Sequence, residues 1–250
     1  MLDIALDGLA DQPRWVEARG MLLSGRGSVV ERDGSDPPTV VASPSVLLAV
    51  VMRWDAPEAL ARALRRVPAE FSIVAPLEAE SAIAAVLPQR PREPAALFHM
   101  LPAIAASLAP CPDARLLRPD EYRLLENLPP ALRGELRDAC GYSPIASGFV
   151  DGRPVSFCYS GWETENHWDV SIDTLDGFRR RGMAAAAATC LLRHFAVAGK
   201  TAVWGSVESN PASSALARKL GFTEVDRLLL VYPDDAHDGG HAYSHERIGL

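Results

Sequence analysis

The sequence lacks a long apolar run: none of its hydrophobic stretches approaches the roughly 20 residues that a helix needs to cross a bilayer. Its start, MLDIALDGLADQPRW, also lacks the basic residues and the extended apolar core of a secretory signal peptide. The four cysteines are widely spaced and form no C-x-x-C pair, which favours free thiols in a reducing compartment. We therefore expect a cytoplasmic protein without a membrane partner.

Basic residues are also scarce. Lys and Arg number 25 against 32 Asp and Glu, which gives a formal net charge of −7. Because general nucleic-acid binding needs a basic surface that displaces counterions, we expect no nucleic-acid partner. The apolar share of 48% is ordinary for a globular protein.

The first 110 residues contain no glycine-rich loop, no nucleophile elbow and no metal-ligand spacing. Their hydrophobic pattern instead predicts alternating strands and helices, and hence a smaller α/β domain. The predicted elements are two strands that pair as a hairpin, Ser28–Arg32 and Ser45–Arg53, then a helix at Ala56–Val67, a strand at Phe71–Pro76 and a helix at Glu78–Leu87.

A proline-rich segment, 88–112, follows. Proline density of this kind indicates a connector, and we predict within it only one short apolar helix, at Pro94–Leu108. The predicted boundary lies near Cys111, which divides the chain into an accessory domain, 1–110, and a second domain, 111–250.

The second domain has a clear pattern of strands, helices and turns. Asp151 and Gly152 form a hairpin turn, and Gly221 has the position of a left-handed helix C-terminus. The predicted elements are a strand at Ala114–Arg118, helices at Asp120–Leu128 and Pro130–Cys140, a hairpin at Ser147–Ser160, a strand at Trp168–Leu175, a helix at Gly182–Ala198, a strand at Thr201–Val207, a helix capped by Asn210, and a strand at Val225–Tyr232.

The stretch WDVSIDTLDGFRRRGMA, which begins at Trp168, carries the strongest chemical signal. A strand is followed by an arginine-rich loop and the start of an alanine-rich helix. Backbone N–H groups at a helix N-terminus have no intrahelical partner, so such a loop is an anion site. Arg179, Arg180 and Arg181 add full positive charges, and Gly182 lets the backbone approach a ligand closely. The alternative is an arginine run that is simply solvated.

These residues resemble the pyrophosphate loop of the GNAT superfamily of acyl-CoA-dependent N-acetyltransferases, (Arg or Gln)-x-x-Gly-x-(Gly or Ala), at Arg179, Gly182 and Ala184. A second resemblance follows in the family's order at Asn210–Phe222, NPASSALARKLGF. The resemblance covers about Ala114–Tyr232. It implies an α/β (α+β) fold in which a mixed central sheet is flanked by helices.

The resemblance also implies acetyl-CoA as the cofactor. The family separates two parallel strands so that the pantetheine arm pairs with the strand before the loop; here those strands are Trp168–Thr174 and Thr201–Val207. The cofactor-binding residues that follow from this are Ile172, Asp173, Thr174, Arg179, Arg180, Arg181, Gly182, Met183, Ala184, Asn210 and Ser213.

The implied reaction is direct attack of an amine on the thioester, with a small molecule or a protein as the acceptor. It needs a base for the amine and an acid for the thiolate. Asp169, Asp173 and Glu208 are all candidates for the base. Many family members carry a tyrosine as the acid seven residues after the asparagine, but Ala217 stands there; Tyr159, Tyr232, Ser213 and Ser214 are possible substitutes. The alternative function is an acyl-CoA-binding regulatory protein with little turnover.

Two further features stay open between readings. His237, His241 and His245 recur every fourth residue, but Gly239 and Gly240 would interrupt a helix there, so we expect no metal site. The N-terminal domain either covers one side of the acceptor cleft or serves as a dimerisation module, in which case the chain would be a homodimer.

Overall fold

The computed structural model describes residues 6, 8–31 and 38–234. Within them, eleven strands form one continuous mixed sheet, in the order β1-β2-β3-β4-β11-β5-β10-β9-β8-β7-β6. The strands are β1 Ser28–Glu31, β2 Val40–Ser43, β3 Leu48–Val51, β4 Ser72–Pro76, β5 Arg92–Met100, β6 Ala114–Leu116, β7 Ala146–Val150, β8 Arg153–Glu163, β9 His167–Thr174, β10 Thr201–Val207 and β11 Thr223–Val231.

Helices cover both faces of this sheet. The α-helices are α1 Val16–Leu23, α2 Pro57–Leu64, α3 Glu80–Val86, α4 Pro102–Ser107, α5 Pro130–Ala139, α6 Met183–Val197 and α7 Pro211–Leu220. Short 3₁₀ helices at Pro13–Trp15, Leu77–Ala79 and Pro119–Asn127 precede α1, α3 and α5. No helix in the described part of the chain is long and apolar enough to span a bilayer.

Alternation along the strands shows which helices share a face. Leu228 and Leu230 of β11 pack with α1, whereas Leu229 and Val231 pack with α2 and α3. On β10, Val203 packs with α1 and Trp204 with α6. Because successive side chains of a strand point to opposite faces, α1 lies on one face and α2, α3 and α6 lie on the other.

Local signals predicted the second half well. The helix that follows the arginine loop begins after Gly182 (φ 82°), and α7 is capped by Asn210 and ends at Gly221 (φ 99°). Asp151 and Gly152 both have positive φ, as the predicted hairpin turn requires. The predicted helix at Ala56–Val67 and strand at Phe71–Pro76 are confirmed as α2 and β4.

Two predictions in the first half are wrong. The first predicted strand, β1, pairs with β2 and not with the strand at Leu48–Val51, because β2 lies between them in the sheet. The helix predicted at Pro94–Leu108 is instead a strand, β5, followed by the short helix α4. Residues 95–98 and Met100 are buried at the sheet centre, so this strand has no apolar/polar alternation, and the neighbouring prolines suggested a connector.

The strand order contains the same arrangement twice. In the first half, β1, β2 and β3 form an antiparallel meander, α2 leads to the parallel β4, and α3 leads to β5; in the second half, β7, β8 and β9 are followed by α6, β10, α7 and β11 in the same way. The last strand of each half is exchanged between the halves. The strand β5 of the first half lies beside β10, and β11 of the second half lies beside β4. The sheet therefore runs without interruption across the predicted boundary, and the division into 1–110 and 111–250 stays a prediction.

Candidate active site

The parallel strands β9 and β10 separate from each other along their length. They pair at three positions, which end at Val203 opposite Asp169. Beyond that point β9 continues to Thr174 and stays paired with β8. Likewise, β10 continues to Val207 and stays paired with β5. Five residue steps of about 3.3 Å leave an edge of about 17 Å on β9 without a strand partner on this side. This opening forms a cleft that is closed at Asp169 and open at Thr174.

The arginine loop lies at the open end of this cleft. Arg179, Arg180 and Arg181 are exposed, and the only ion pair of Arg179 in the described structure is with Asp176, at 3.2 Å. No protein group in the described part of the chain accepts a hydrogen bond from the backbone N–H groups of residues 179–185. The loop thus presents uncommitted N–H donors, three guanidinium groups and a helix N-terminus, which together attract an anion.

Gly148 of β7 seats the first turn of α6. A Cβ atom built on Gly148 would lie 2.9 Å from the carbonyl oxygen of Met183. Any larger residue would therefore push the helix start away from the sheet. The sequence offered one weak signal for this role, a lone glycine in a strand, which often marks a close backbone approach.

The predicted cofactor residues divide into two groups. Ile172, Asp173 and Thr174 lie on the separated part of β9, and Arg179 to Ala184 form the loop and the start of α6. Asn210 and Ser213 are instead used internally: Asn210 Oδ1 accepts from the Ser213 backbone N–H at 3.2 Å, and Ser213 Oγ accepts from Trp204 Nε1 at 2.9 Å. Their visible role is to fix α7 against β10.

Asp169, one of the three candidate bases, lies at the closed end of the cleft and is only 3% exposed. Its Oδ1 accepts from the Trp162 backbone N–H at 2.5 Å, where a bulge interrupts the pairing of β8 with β9. Burial raises the pKa of Asp169 to about 7, although the N–H groups of Trp162 and Gly161 oppose that rise. A carboxyl group with a pKa near neutrality can accept a proton from an amine.

The other two candidate bases, Asp173 and Glu208, have surroundings that differ from those of Asp169 and from each other. Asp173 is buried on the same face of β9 as Asp169, four residues nearer to the loop. Glu208 follows β10, is half exposed, and forms an ion pair with Arg227 of β11. Since β11 and β9 lie on opposite sides of β10, this ion pair turns Glu208 away from the cleft.

Among the described residues, none is an obvious acid for protonating the departing thiolate. Ala217 is fully buried against the sheet, so this helix position offers no hydroxyl. Tyr159 is buried and its hydroxyl lies 3.3 Å from Glu135, and burial raises its pKa well above the ordinary value. Tyr232 donates to Glu93, and its pKa is raised by burial and then by that bond. Ser214 Oγ lies 2.9 Å from Ser206 Oγ, beside β10.

Sequence reasoning missed the residues that the N-terminal half brings to Asp169. Glu17 of α1 is 3% exposed, and its Oε2 has no hydrogen-bond partner among the described residues. Burial, and then the charge of Asp169, raise the pKa of Glu17 to about 8. Arg26 donates to the Gly161 carbonyl at 2.7 Å, with its guanidinium 3.8 Å from the Tyr142 ring centre and 4.1 Å from that of Trp162. No local pattern links Glu17 to Asp169, because only the fold brings α1 onto β9.

This cleft, with an anion-attracting loop at one end and buried carboxyl groups at the other, has the arrangement expected of an acyltransferase. Residues 136–230 match the family model of GNAT acetyltransferases. This match shows a GNAT acetyltransferase domain in that part of the chain. No curated protein matches the sequence.

Solved structures share this fold at low sequence identity. A GCN5-related N-acetyltransferase-like protein from Streptococcus suis has 15% identity and a TM-score of 0.65, over 92% of this chain and 97% of that one. A GCN5-related N-acetyltransferase from Kribbella flavida has 16% identity and a TM-score of 0.63, over 94% and 98%. A putative GNAT acetyltransferase from Novosphingobium aromaticivorans has 18% identity and a TM-score of 0.57, over 88% and 96%. The likeness extends over both halves of the chain.

Two predictions about other parts of the chain remain. His237, His241 and His245 lie outside the described residues. All four cysteines are free, as their spacing indicated.

Proposed function

We propose that this protein transfers an acetyl group from acetyl-CoA to a primary amine of a small molecule or a protein, by direct attack of the amine on the thioester. The observation that carries this proposal is the opening between β9 and β10 together with the uncommitted N–H groups of residues 179–185. The family match of residues 136–230 supports acetyl transfer in general. The free thiols support the expected cytoplasmic setting.

The roles of the residues follow from the direction of the cleft. The diphosphate of coenzyme A binds at the loop, where the N–H donors and the arginines neutralise its charge. The pantetheine arm extends along the free edge of β9, whose backbone groups satisfy its amides as a neighbouring strand would. The thioester then lies toward the closed end of the cleft. Among the candidate bases, Asp169 lies nearest to that end.

A second function has one observation in its favour. Ala217 removes the hydroxyl that the family places on this helix, and neither Tyr159 nor Tyr232 is free of a carboxylate partner. A protein with this cleft and no acid would bind acyl-CoA without turning it over, which is the behaviour of a regulatory sensor.

Turnover separates the two functions. Purified protein is incubated with acetyl-CoA and a panel of primary amines, and free thiol is measured with a thiol reagent, while calorimetry measures coenzyme A binding. Amine-dependent thiol release above the rate without enzyme supports the transferase. Tight binding without release supports the sensor, and the absence of binding contradicts both.

A further inference from the structure

The buried oxygen of Glu17 has no evident structural use. Glu17 is enclosed by α1 and the sheet, and its Oε2 has no partner in the described structure. A buried carboxyl oxygen without a hydrogen bond is costly, because it has given up water and gained nothing. Replacing such a group with an apolar residue of similar shape is often neutral or stabilising. An unpartnered carboxyl oxygen at this buried position therefore points to a ligand.

Its neighbourhood is acidic and lies at the reactive end of the cleft. Asp169 is the group that acts electrostatically on Glu17, and Asp169 is also the last residue of β9 that pairs with β10. Helix α1 packs against strands β2 and β3. These strands present the apolar residues Val41, Leu48 and Val50 to the helix. On the Asp169 side, the charged and titratable neighbours include Arg26, Tyr142 and the buried thiol of Cys158.

We propose that Glu17, from the N-terminal half of the chain, joins Asp169 in binding the protonated amine of the acceptor and taking its proton. This inference rests on the proposed transfer to an amine. An ammonium group carries three N–H donors and no acceptor, so two carboxyl groups and a free Oε2 suit it. Both carboxyl groups have pKa values raised toward neutrality by burial, which lets them hold a proton at working pH.

The proton and electron balance is simple. The ammonium group gives one proton to the carboxyl pair, which frees the nitrogen lone pair. That lone pair attacks the thioester carbonyl carbon, the C–N bond forms and the C–S bond breaks. The second proton of the nitrogen leaves with the thiolate as a free thiol, and the proton on the carboxyl pair returns to solvent.

The same charges select among amines. The ionised form of this buried carboxyl pair attracts a cation and repels an anion, and burial strengthens both effects. An amine on an alkyl chain without a nearby carboxylate is therefore the favoured acceptor class. Amines that carry a carboxylate on the same short chain are disfavoured.

The test compares two matched probes and two matched variants. The probes are 1,4-diaminobutane and 4-aminobutanoate, which share the amine and differ in the other end. The variants are Glu17→Gln and, as the control, Glu70→Gln, which removes an exposed carboxylate from a loop. Thiol release gives kcat/KM as a function of pH, calorimetry gives coenzyme A affinity, and thermal unfolding reports the fold.

We expect wild type and Glu70→Gln to use 1,4-diaminobutane at least tenfold better than 4-aminobutanoate. Glu17→Gln should lose at least tenfold in kcat/KM and change the pH profile, with coenzyme A affinity and unfolding temperature maintained or raised. Equal kcat/KM and pH profile in Glu17→Gln and wild type would overturn the proposal. So would a loss matched by weaker coenzyme A binding or a lower unfolding temperature, since that is a structural role. Failure of wild type to release thiol with the diamine would contradict the amine chemistry itself, and this inference with it.

Discussion

Val203 is the last residue of β10 that pairs with β9, and its partner at that position is Asp169. This pair of residues marks the closed end of the cleft. Val203 packs under α1, and the charge of Asp169 contributes to the raised pKa of Glu17, which lies on that helix. The N-terminal helix is thereby part of the wall at the closed end of the cleft, so both halves of the chain contribute to the proposed site.

The arginine loop should control coenzyme A affinity. Replacing Arg179 and Arg181 with Glu reverses two charges beside the open N–H groups, so we expect at least a hundredfold loss of affinity in calorimetry. Both side chains are exposed, and therefore the unfolding temperature should hardly change. The control, Arg65→Glu with Arg123→Glu, makes the same charge change at other exposed positions and should bind normally. Unchanged affinity in the folded loop variant would contradict a diphosphate site here.

Gly148 should be intolerant of a side chain. In Gly148→Ala the new Cβ would crowd the Met183 carbonyl, and relief of such overpacking typically costs about 1–3 kcal/mol of unfolding free energy. Coenzyme A affinity should also fall, because the first turn of α6 shifts. The control is Gly134→Ala in α5, where a Cβ meets nothing within 4 Å and alanine favours the helix by about 0.5–1 kcal/mol. Urea unfolding of the three proteins gives the comparison; equal stability and affinity of Gly148→Ala and wild type would refute the proposed seating.

These sites show what a sequence can and cannot predict. Gly182 and Gly221 act through their own backbone, and Asn210 acts through a side-chain bond to a backbone N–H three residues away, so their roles could be read directly from the pattern. The arginine loop was found in the same way, since its charges and its helix are adjacent in the chain.

Long-range features left no comparable signal. The electrostatic effect of Asp169 on Glu17 depends on where α1 lies, and the local pattern of α1 gives no sign of it. The placement of β5 between β10 and β11 depends on strand exchange, and its prolines suggested a linker. In both cases the tertiary fold decides, and the local pattern favours a different interpretation.

Stability should depend on pH through the buried carboxyl pair. The pKa of Glu17 is about 8 in the folded protein against an ordinary value of 4.5, so the folded state binds more protons than the unfolded state between these values. The free energy of unfolding should therefore fall as the pH rises from about 5 to about 8, and level off above that. Asp169, with a pKa of about 7, adds to the fall in the lower part of this window. Urea unfolding at several pH values should show a smaller fall for Glu17→Gln; identical pH slopes in the variant and wild type would rule out a titrating Glu17.

The strand exchange should prevent the second half from folding alone. β5 pairs with β10 along residues 202–207 and with β11 along most of its length, so a fragment of residues 111–250 would leave both strands with an open edge. Exposed edges of this kind promote aggregation. We expect the fragment to be aggregated or unfolded by circular dichroism and size-exclusion chromatography, and to recover coenzyme A binding when it is co-expressed with residues 1–110. The matched control is the full chain cleaved at an engineered protease site after Cys111, which should stay associated and keep its affinity. A fragment that unfolds cooperatively and binds coenzyme A as the full chain does would show that β5 is dispensable.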